Sequence, residues 1–266
     1  MILRRCREIM FGIRWACRFA NPIEILATRH LFRRKRSVVV EQGGMQMLID
    51  SQGSDAQAVT EVLLDGMYDD AIRTAASGRP AFRYLNLGAN IGAFDVRVFQ
   101  LLGEACPTIE GAAIEMNPAS HARLLVNLEL NRLHAVRTVN AAAWNESGTT
   151  HVRLDERNTG QTCAGTTETS GSPVPLLAWG EIFRSYCPTA GLDLVKIDIE
   201  GAEEKVVPMI TGADAAMIRY LVIETHTPEA HRLVSLHLDR VGFRKHSEQP
   251  GDGSTHLQLW QSRRSK

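Results

Sequence analysis

The sequence predicts an α/β fold built on a mainly parallel sheet, and three observations carry that prediction. From Phe82 onward, short apolar runs alternate with helical segments, the order of a parallel sheet covered by helices on both faces. The first run, Tyr84-Leu85-Asn86-Leu87, passes into a glycine turn at Gly88 and Gly92, and a helical stretch follows from Ala93 to Leu102. Glycines let a backbone approach a ligand closely, and the start of the following helix offers unpaired N–H groups. The second run, Gly111 to Ile114, ends in Glu115, 27 residues after Gly88. In a nucleotide-binding β-α-β unit, an acid at the end of the second strand accepts hydrogen bonds from ribose hydroxyls. The turn and the acid together point to a ribose-containing cofactor. An NAD-dependent oxidoreductase is the competing reading, but Gly88-x-x-x-Gly92 lacks its Gly-x-Gly-x-x-Gly spacing.

Taken in order, residues 1–36 read as helical and basic. Val38 to Ile49 reads as a β-hairpin turning at Gly43-Gly44. Residues 55–76 read as one helix, because Val59, Val62, Leu63, Met67 and Ile72 recur near a 3.6 period; Ser77 to Pro80 closes it. Strands are expected near 83–87, 111–115, 136–140, 193–199 and 219–224. Helices are expected near 92–102, 118–131, 178–186, 203–210 and 228–240, with Pro118 at a favoured first position after Asn117. Gly242 to Trp260 reads as two strands around residues 249–253. Between Leu154 and Pro173 the composition turns polar and short-chained; a loop this long suits either a lid over ligands or a mobile surface segment. The expected division is an N-terminal helical and hairpin extension over 1–80 and a catalytic domain over 81–266.

A chain of 266 residues with 44% hydrophobic and 23% charged residues can bury a large core and has the composition of a globular protein. Its charge is uneven. Residues 1–36 carry ten Lys/Arg against Glu8 and Glu24, a net +8, and the remainder carries −8. The favoured reading of this basic stretch is an extension lying on an acidic domain; a peripheral membrane contact through residues 1–36 is the alternative. One helical stripe there would be Leu3, Cys6, Met10, Ile13 and Cys17, and a second Phe11, Trp15 and Phe19. Arg14 and Arg18 interrupt any signal-peptide core, and no run approaches the roughly 18 apolar residues of a membrane span. Five scattered cysteines without a Cys-x-x-Cys pair indicate neither a zinc cluster nor a disulfide framework, and suit a cytoplasmic protein.

Residues 192–204 read Leu-Asp-Leu-Val-Lys-Ile-Asp-Ile-Glu-Gly-Ala-Glu-Glu. Taken with Leu87-Gly-Ala-Asn-Ile-Gly92, Ile114-Glu-Met-Asn-Pro118 and Tyr220-Leu-Val-Ile-Glu224, this stretch closely resembles the FkbM-type S-adenosylmethionine-dependent methyltransferases, over about residues 60–245. The resemblance implies a Rossmann-like class I fold: a mainly parallel seven-stranded sheet with a C-terminal antiparallel hairpin. It implies S-adenosyl-L-methionine held by Asn86, Gly88, Ala89, Asn90, Gly92, Glu115, Met116, Asn117, Ala142 and Asp198. The adenine would lie near Asn117 and the stretch from Asn140 to Trp144, and Tyr68 matches a tyrosine the family often carries before the first strand. The implied acceptor is a hydroxyl on a sugar, glycan or secondary metabolite; no nucleic acid is expected. The acid the family carries two residues before the first glycine is Asn86 here, so the methionine part of the cofactor would be held differently. Asn86 is also the best support for a third reading, a binding module that keeps the fold without activity.

Methyl transfer needs alignment of the acceptor and, for a hydroxyl, removal of its proton. In Val195 to Glu200, strand alternation puts Lys196, Asp198 and Glu200 on one side. Three charges there are costly unless paired or functional. Asp198 and Glu200, nearest the ligand end, are the leading catalytic candidates, with Lys196 beside them. Glu224 would bind the acceptor or brace Lys196, and His226 is a candidate general base. Glu203 and Glu204 suit the start of a helix. Asp198 with Glu224 has the oxygen character of a cation site, but no compact motif marks one and no metal is expected.

Overall fold

A computed structural model describes residues 10, 12–30, 37–51, 53–152, 172–251 and 253–264. The N-terminal part holds helix α1 (Pro22–His30) and a hairpin of β1 (Ser37–Gln42) and β2 (Met45–Asp50), which turns at Gly43-Gly44 as expected. The single helix expected over 55–76 is instead broken. Helix α2 (Asp55–Val59) widens into a π-helical turn (Thr60–Leu64), and α3 (Asp69–Ala76) restarts beyond Gly66, whose φ is 70°. The left-handed dihedral at Gly66 ends the helix, an event that apolar periodicity does not register.

From there the alternation follows the expected order. It runs β3 (Ala81–Leu87), α4 (Ala93–Leu102), β4 (Thr108–Glu115), α5 (Pro118–Leu130) and β5 (Val136–Asn140). Asn117 caps α5, its side chain accepting from the amides of Ala119 and Ser120. Three short strands come next: β6 (Ala142–Trp144), β7 (Gly148–Val152) and β8 (Ser172–Ala178). The chain closes with α6 (Trp179–Tyr186), β9 (Leu192–Ile197), α7 (Glu203–Val206), α8 (Gly212–Ala216), β10 (Ile218–Thr225), α9 (Pro228–Val241), β11 (Phe243–Pro250) and β12 (His256–Ser262).

Seven strands form one sheet in the order β11-β12-β10-β9-β3-β4-β5. The strands β10, β9, β3, β4 and β5 are parallel, and β11 and β12 add the antiparallel C-terminal pair. The small sheet β6-β8-β7 was not expected. Pro173 and Pro175 argue against a strand at β8, yet they pair only with β7, because β6 reaches no further than Leu176. Each proline thus falls where the strand has a neighbour on one side only, the position a sheet tolerates. The polar stretch from Leu154, read as a lid or mobile loop, lies mostly outside the described residues.

Alternation along the strands splits the core into two clusters, one on each face. One face of the sheet buries Leu85, Leu87, Val195, Ile197, Leu221 and Ile223 against α6, α7 and α9. The opposite face buries Tyr84, Leu194, Tyr220 and Val222 with Phe94 and Val98 of α4, and with Trp15, Phe19, Val40, Ile49, Tyr68 and Ile72. Residues on both sides of position 80 therefore share one core. Of the two stripes in the basic segment, Trp15 and Phe19 turn inward while Met10, Ile13 and Cys17 are exposed; Leu3, Cys6 and Phe11 lie outside the described residues. Among the described residues no helix is long and apolar enough to cross a membrane.

Trp15 is 7% exposed, meets Phe19 edge-on at 4.9 Å and donates its indole N–H to Thr60 Oγ1 at 2.8 Å. Trp15→Ala is therefore expected to lower unfolding stability by about 3–5 kcal/mol, measured by denaturant titration. A loss within experimental error would mean that the N-terminal segment does not contribute to the core.

Candidate active site

The sheet brings its polar side chains together at the carboxyl ends of β3, β9 and β10. Asn86 pairs in register with Lys196, and Lys196 with Val222. Asn86, Lys196 and Glu224 alternate with the apolar residues that face α6, α7 and α9, so they point to the other face. There Lys196 and Glu224 meet a cavity of about 460 Å³ whose opposite wall comes from Ser54, Gln57, Glu61, Asp65, Met67 and Tyr68, and whose rim includes Gln249, Pro250 and Thr255.

The glycine turn forms the floor. Gly88 has φ 78°, Gly92 φ 86° and Asn90, a non-glycine residue, φ 50°. The amides of Gly88 and Ala89 both donate to Ile114 O at 3.0 Å, and Asp198 N donates to Leu87 O at 3.1 Å, which ties the turn to the loop after β9. Glu115, almost fully buried, accepts from Asn90 N and Asn117 N, each at 2.7 Å, one on each carboxylate oxygen. Burial raises its carboxyl to about 7, against the pull of those two amides.

Strand β9 stops at Ile197, two residues earlier than expected, so Asp198 and Glu200 lie in a turn; Glu200 has φ 51°. Asp198 is held from one side. Its Oδ2 accepts from the Tyr68 hydroxyl at 3.1 Å and lies 3.1 Å from Lys196 Nζ, which also donates to Gly88 O at 3.0 Å. Its Oδ1 stands 3.9 Å from His226 Nε2, which is 3.5 Å from Glu200 Oε2. On the other ring nitrogen, His226 Nδ1 sits 3.1 Å from Glu203 Oε1.

These neighbours set the proton affinities. Burial lowers that of His226, but the hydrogen bond and charge of Glu203, with Asp198 and Glu200, outweigh it and raise the imidazole to about 9. Proton affinity at this height favours the imidazolium form of His226 near neutral pH. Burial and the charge of Asp198 raise Glu200 to about 7 and Glu224 to about 8. Burial raises Asp95 on α4 to about 6, although it accepts from the Tyr84 hydroxyl and from Asn86 Nδ2 at 2.9 Å.

Every one of these shifts is upward, so their linkage to stability has one sign. The folded protein holds these protons above the ordinary carboxylate values of 3.8 and 4.5 and the imidazole value of 6.5. That stability is complete only below those ordinary values and is lost as pH rises from them to the raised values, which run from about 6 to about 9. The thermal midpoint is expected to fall over this window, and Glu224→Gln, which removes one buried ionisation, to flatten the fall below about pH 8. An unchanged slope in that variant would place Glu224 in solvent.

Of the sequence-expected residues, Gly88, Ala89, Asn90, Lys196, Asp198, Glu200, Glu224 and His226 line this cavity. Glu115 and Asn117 sit behind the turn, linked to it through Asn90 N–H. Asn86 is fully buried, its amide bonded to Asp95, and Gly92 packs over Leu124 of α5. Met116 and Ala142 are not among the cavity-lining residues; the Met116 carbonyl accepts from Asn140 Nδ2. Three contributors were missed. Glu203, read as a helix-start acid, is fully buried and holds the turn amides of Ile199 and Gly201 as well as His226. Asp95 was hidden in an apolar helix. The wall from Ser54 to Met67 was read only as helix.

The FkbM methyltransferase domain family matches residues 86–245. No curated protein matches the chain. Among solved structures, precorrin-6y C5,15-methyltransferase from Geobacter metallireducens GS-15 superposes with TM-score 0.45 at 11% identity, over 73% of this chain and 86% of that one. M. jannaschii TYW2 in complex with AdoMet gives 0.45 at 13%, over 85% and 87%. Human methyltransferase 10 domain containing protein gives 0.47 at 13%, over 76% and 82%.

Proposed function

We infer that this chain, which belongs to the FkbM methyltransferase family, transfers the methyl group of S-adenosylmethionine to a hydroxyl oxygen of a sugar, glycan or secondary metabolite. Residues 81–266 would form the methyltransferase domain, with the 1–80 extension supplying one wall of its site.

The residues present fit the cofactor. Asn90 Oδ1, in the glycine turn, is buried with no hydrogen-bond partner, so a ligand donor can complete it. Each Glu115 oxygen already accepts one amide and keeps a second acceptor position, as a ribose diol requires. Gly88, Ala89, Asn90, Glu115 and Asn117 would hold it. When bound, the cofactor supplies a methyl group already activated for displacement.

The single observation that carries the hydroxyl assignment is the one-sided fixing of Asp198. Tyr68 and Lys196 engage Oδ2, which leaves Oδ1 on the side of His226, 3.9 Å from its Nε2. Oδ1 can accept the acceptor's O–H and take its proton as the oxygen is methylated. The His226 cation, anchored by Glu203, orients that carboxylate. Glu200 and Glu224, poised near neutrality, can exchange hydrogen bonds with further hydroxyls in either protonation state.

The cavity sets Glu61, Asp65, Asp198, Glu200 and Glu224 against Lys196 and His226. This balance disfavours a polyanion, whose binding relies on Lys and Arg. Transfer of radiolabelled methyl should therefore reach neutral mono- and oligosaccharides and polyhydroxylated metabolites but not RNA of any sequence. Label appearing only in RNA would overturn the reading.

A further inference from the structure

A second cluster of metal-ligating groups lies outside the cavity, where α9 crosses the C-terminal hairpin. His231 on α9, Glu248 on β11 and His256 on β12 each offer one ligand atom, and these atoms all lie within 4.8 Å of one another. His231 Nε2 and His256 Nδ1 are each 3.1 Å from Glu248 Oε1. The two rings stack at 4.3 Å with 27° between their planes, so both nitrogens turn toward the same point. A tetrahedral cation with bonds of about 2.0–2.1 Å needs ligand atoms about 3.3 Å apart.

We propose that His231, Glu248 and His256 form a binding site for a divalent transition metal of the zinc type, clamping α9 to the C-terminal hairpin. Two imidazoles and one carboxylate suit zinc and its neighbours over magnesium or calcium, which prefer all-oxygen sets. The Glu248 carboxylate is held on its far side by Lys245. Lys245 Nζ binds the other oxygen, Oε2, at 2.5 Å, which orients Oε1 toward the imidazoles. Outer partners that aim a ligand in this way are a regular part of metal sites. Three protein ligands leave the fourth position to water.

The three ligands come from separate elements whose relative position is already fixed. Thr227 caps α9, β11 and β12 pair along their length, and Gln258 Nε2 donates to Ser235 Oγ at 3.2 Å. The site also connects to the cavity. Leu257, next to His256, lines the cavity from the opposite face of the strand, and Gln249, Pro250 and Thr255 at the hairpin tip form part of its rim. Ser254 Oγ donates to His226 O at 2.9 Å. A metal bound outside would hold the tip in the position that shapes the acceptor side.

The test uses the full chain without a histidine tag, stripped with chelator and titrated with Co²⁺ and Zn²⁺. One equivalent of Co²⁺ should give the visible absorption of a four-coordinate nitrogen–oxygen site, and Zn²⁺ should displace it and raise the unfolding midpoint. His231→Ala, His256→Ala and Glu248→Gln should each weaken binding by at least the ~10–100-fold that loss of even an outer partner costs. Asp198, Glu224 and His226 also lie within 4.8 Å of one another, so His226→Ala serves as the control and should leave the cobalt spectrum unchanged. Circular dichroism establishes that each variant is folded, and the wild-type spectrum decides the matter even if a variant is not. The proposal is overturned if the wild type shows no saturable cobalt absorption, or if binding survives all three substitutions or is lost with His226.

Discussion

Gly88→Ala is expected to unfold the site and much of the domain with it. A Cβ at residue 88 would lie 1.6 Å from Asp198 O and 2.7 Å from Asp198 C, both backbone atoms that no rotamer change can move. The residue also has φ 78°, which side chains resist. Relief by shifting the loop after β9 would break the bonds from Asp198 N to Leu87 O and from Lys196 Nζ to Gly88 O. A core clash of this kind belongs with the exceptional substitutions that cost about 4–5 kcal/mol or more. Gly44→Ala is the matched control. Its φ is 80°, but nothing lies within 4 Å of the added Cβ, so it should lose only the roughly 1–2 kcal/mol of a left-handed alanine. Denaturant titrations of both variants give the comparison. Equal losses would mean that the contact between the turn and Asp198 is not made.

Asp198→Asn should have the largest effect on turnover in a protein that stays folded. The amide keeps the shape and can still accept the Tyr68 hydroxyl, but it cannot take a proton. Loss of general-base help costs about 10²–10⁴-fold, and the fall should appear in kcat while cofactor affinity, which the proposal assigns to the turn and Glu115, changes less. His226→Ala should cost less, because the proposed role of His226 is to orient Asp198 and Glu200, which it approaches at 3.9 and 3.5 Å. Should His226→Ala be the more damaging of the two and Asp198→Asn keep near-normal turnover, the roles assigned to them would have to be exchanged.

How much of this was legible in the sequence depends on the distance over which each feature is encoded. The parallel sheet, the glycine turn, Glu115 and the Asn117 cap are local signals of spacing and residue type, and they lie where the pattern puts them. So do Lys196 and Glu224, because a period of two fixes the face they point to; Asp198 reaches the same cavity from the turn just beyond β9. The π-turn and the break at Gly66 escaped because apolar spacing continues across them. Strand β8 escaped because its prolines forbid a central strand, and only the short reach of β6 makes them tolerable. Glu203 read as an ordinary helix-start acid. Its burial, and its hold on His226 23 residues away, arise only when α7 and the end of β10 are brought together. The same holds for the proton affinity of His226: sequence supplies the histidine, but the ring of carboxylates that raises it is a property of the fold.

The central claim is that a carboxylate here removes a hydroxyl proton while that oxygen receives the methyl group. It is tested most directly by following ¹³C-methyl-labelled S-adenosylmethionine into product, with polyhydroxylated acceptors, and reading the carbon chemical shift of the transferred methyl. The account predicts a methyl ether resonance that is lost in Asp198→Asn under the same conditions. A labelled methyl found on nitrogen, sulfur or carbon, or a methyl ether formed at an undiminished rate by Asp198→Asn, would contradict it.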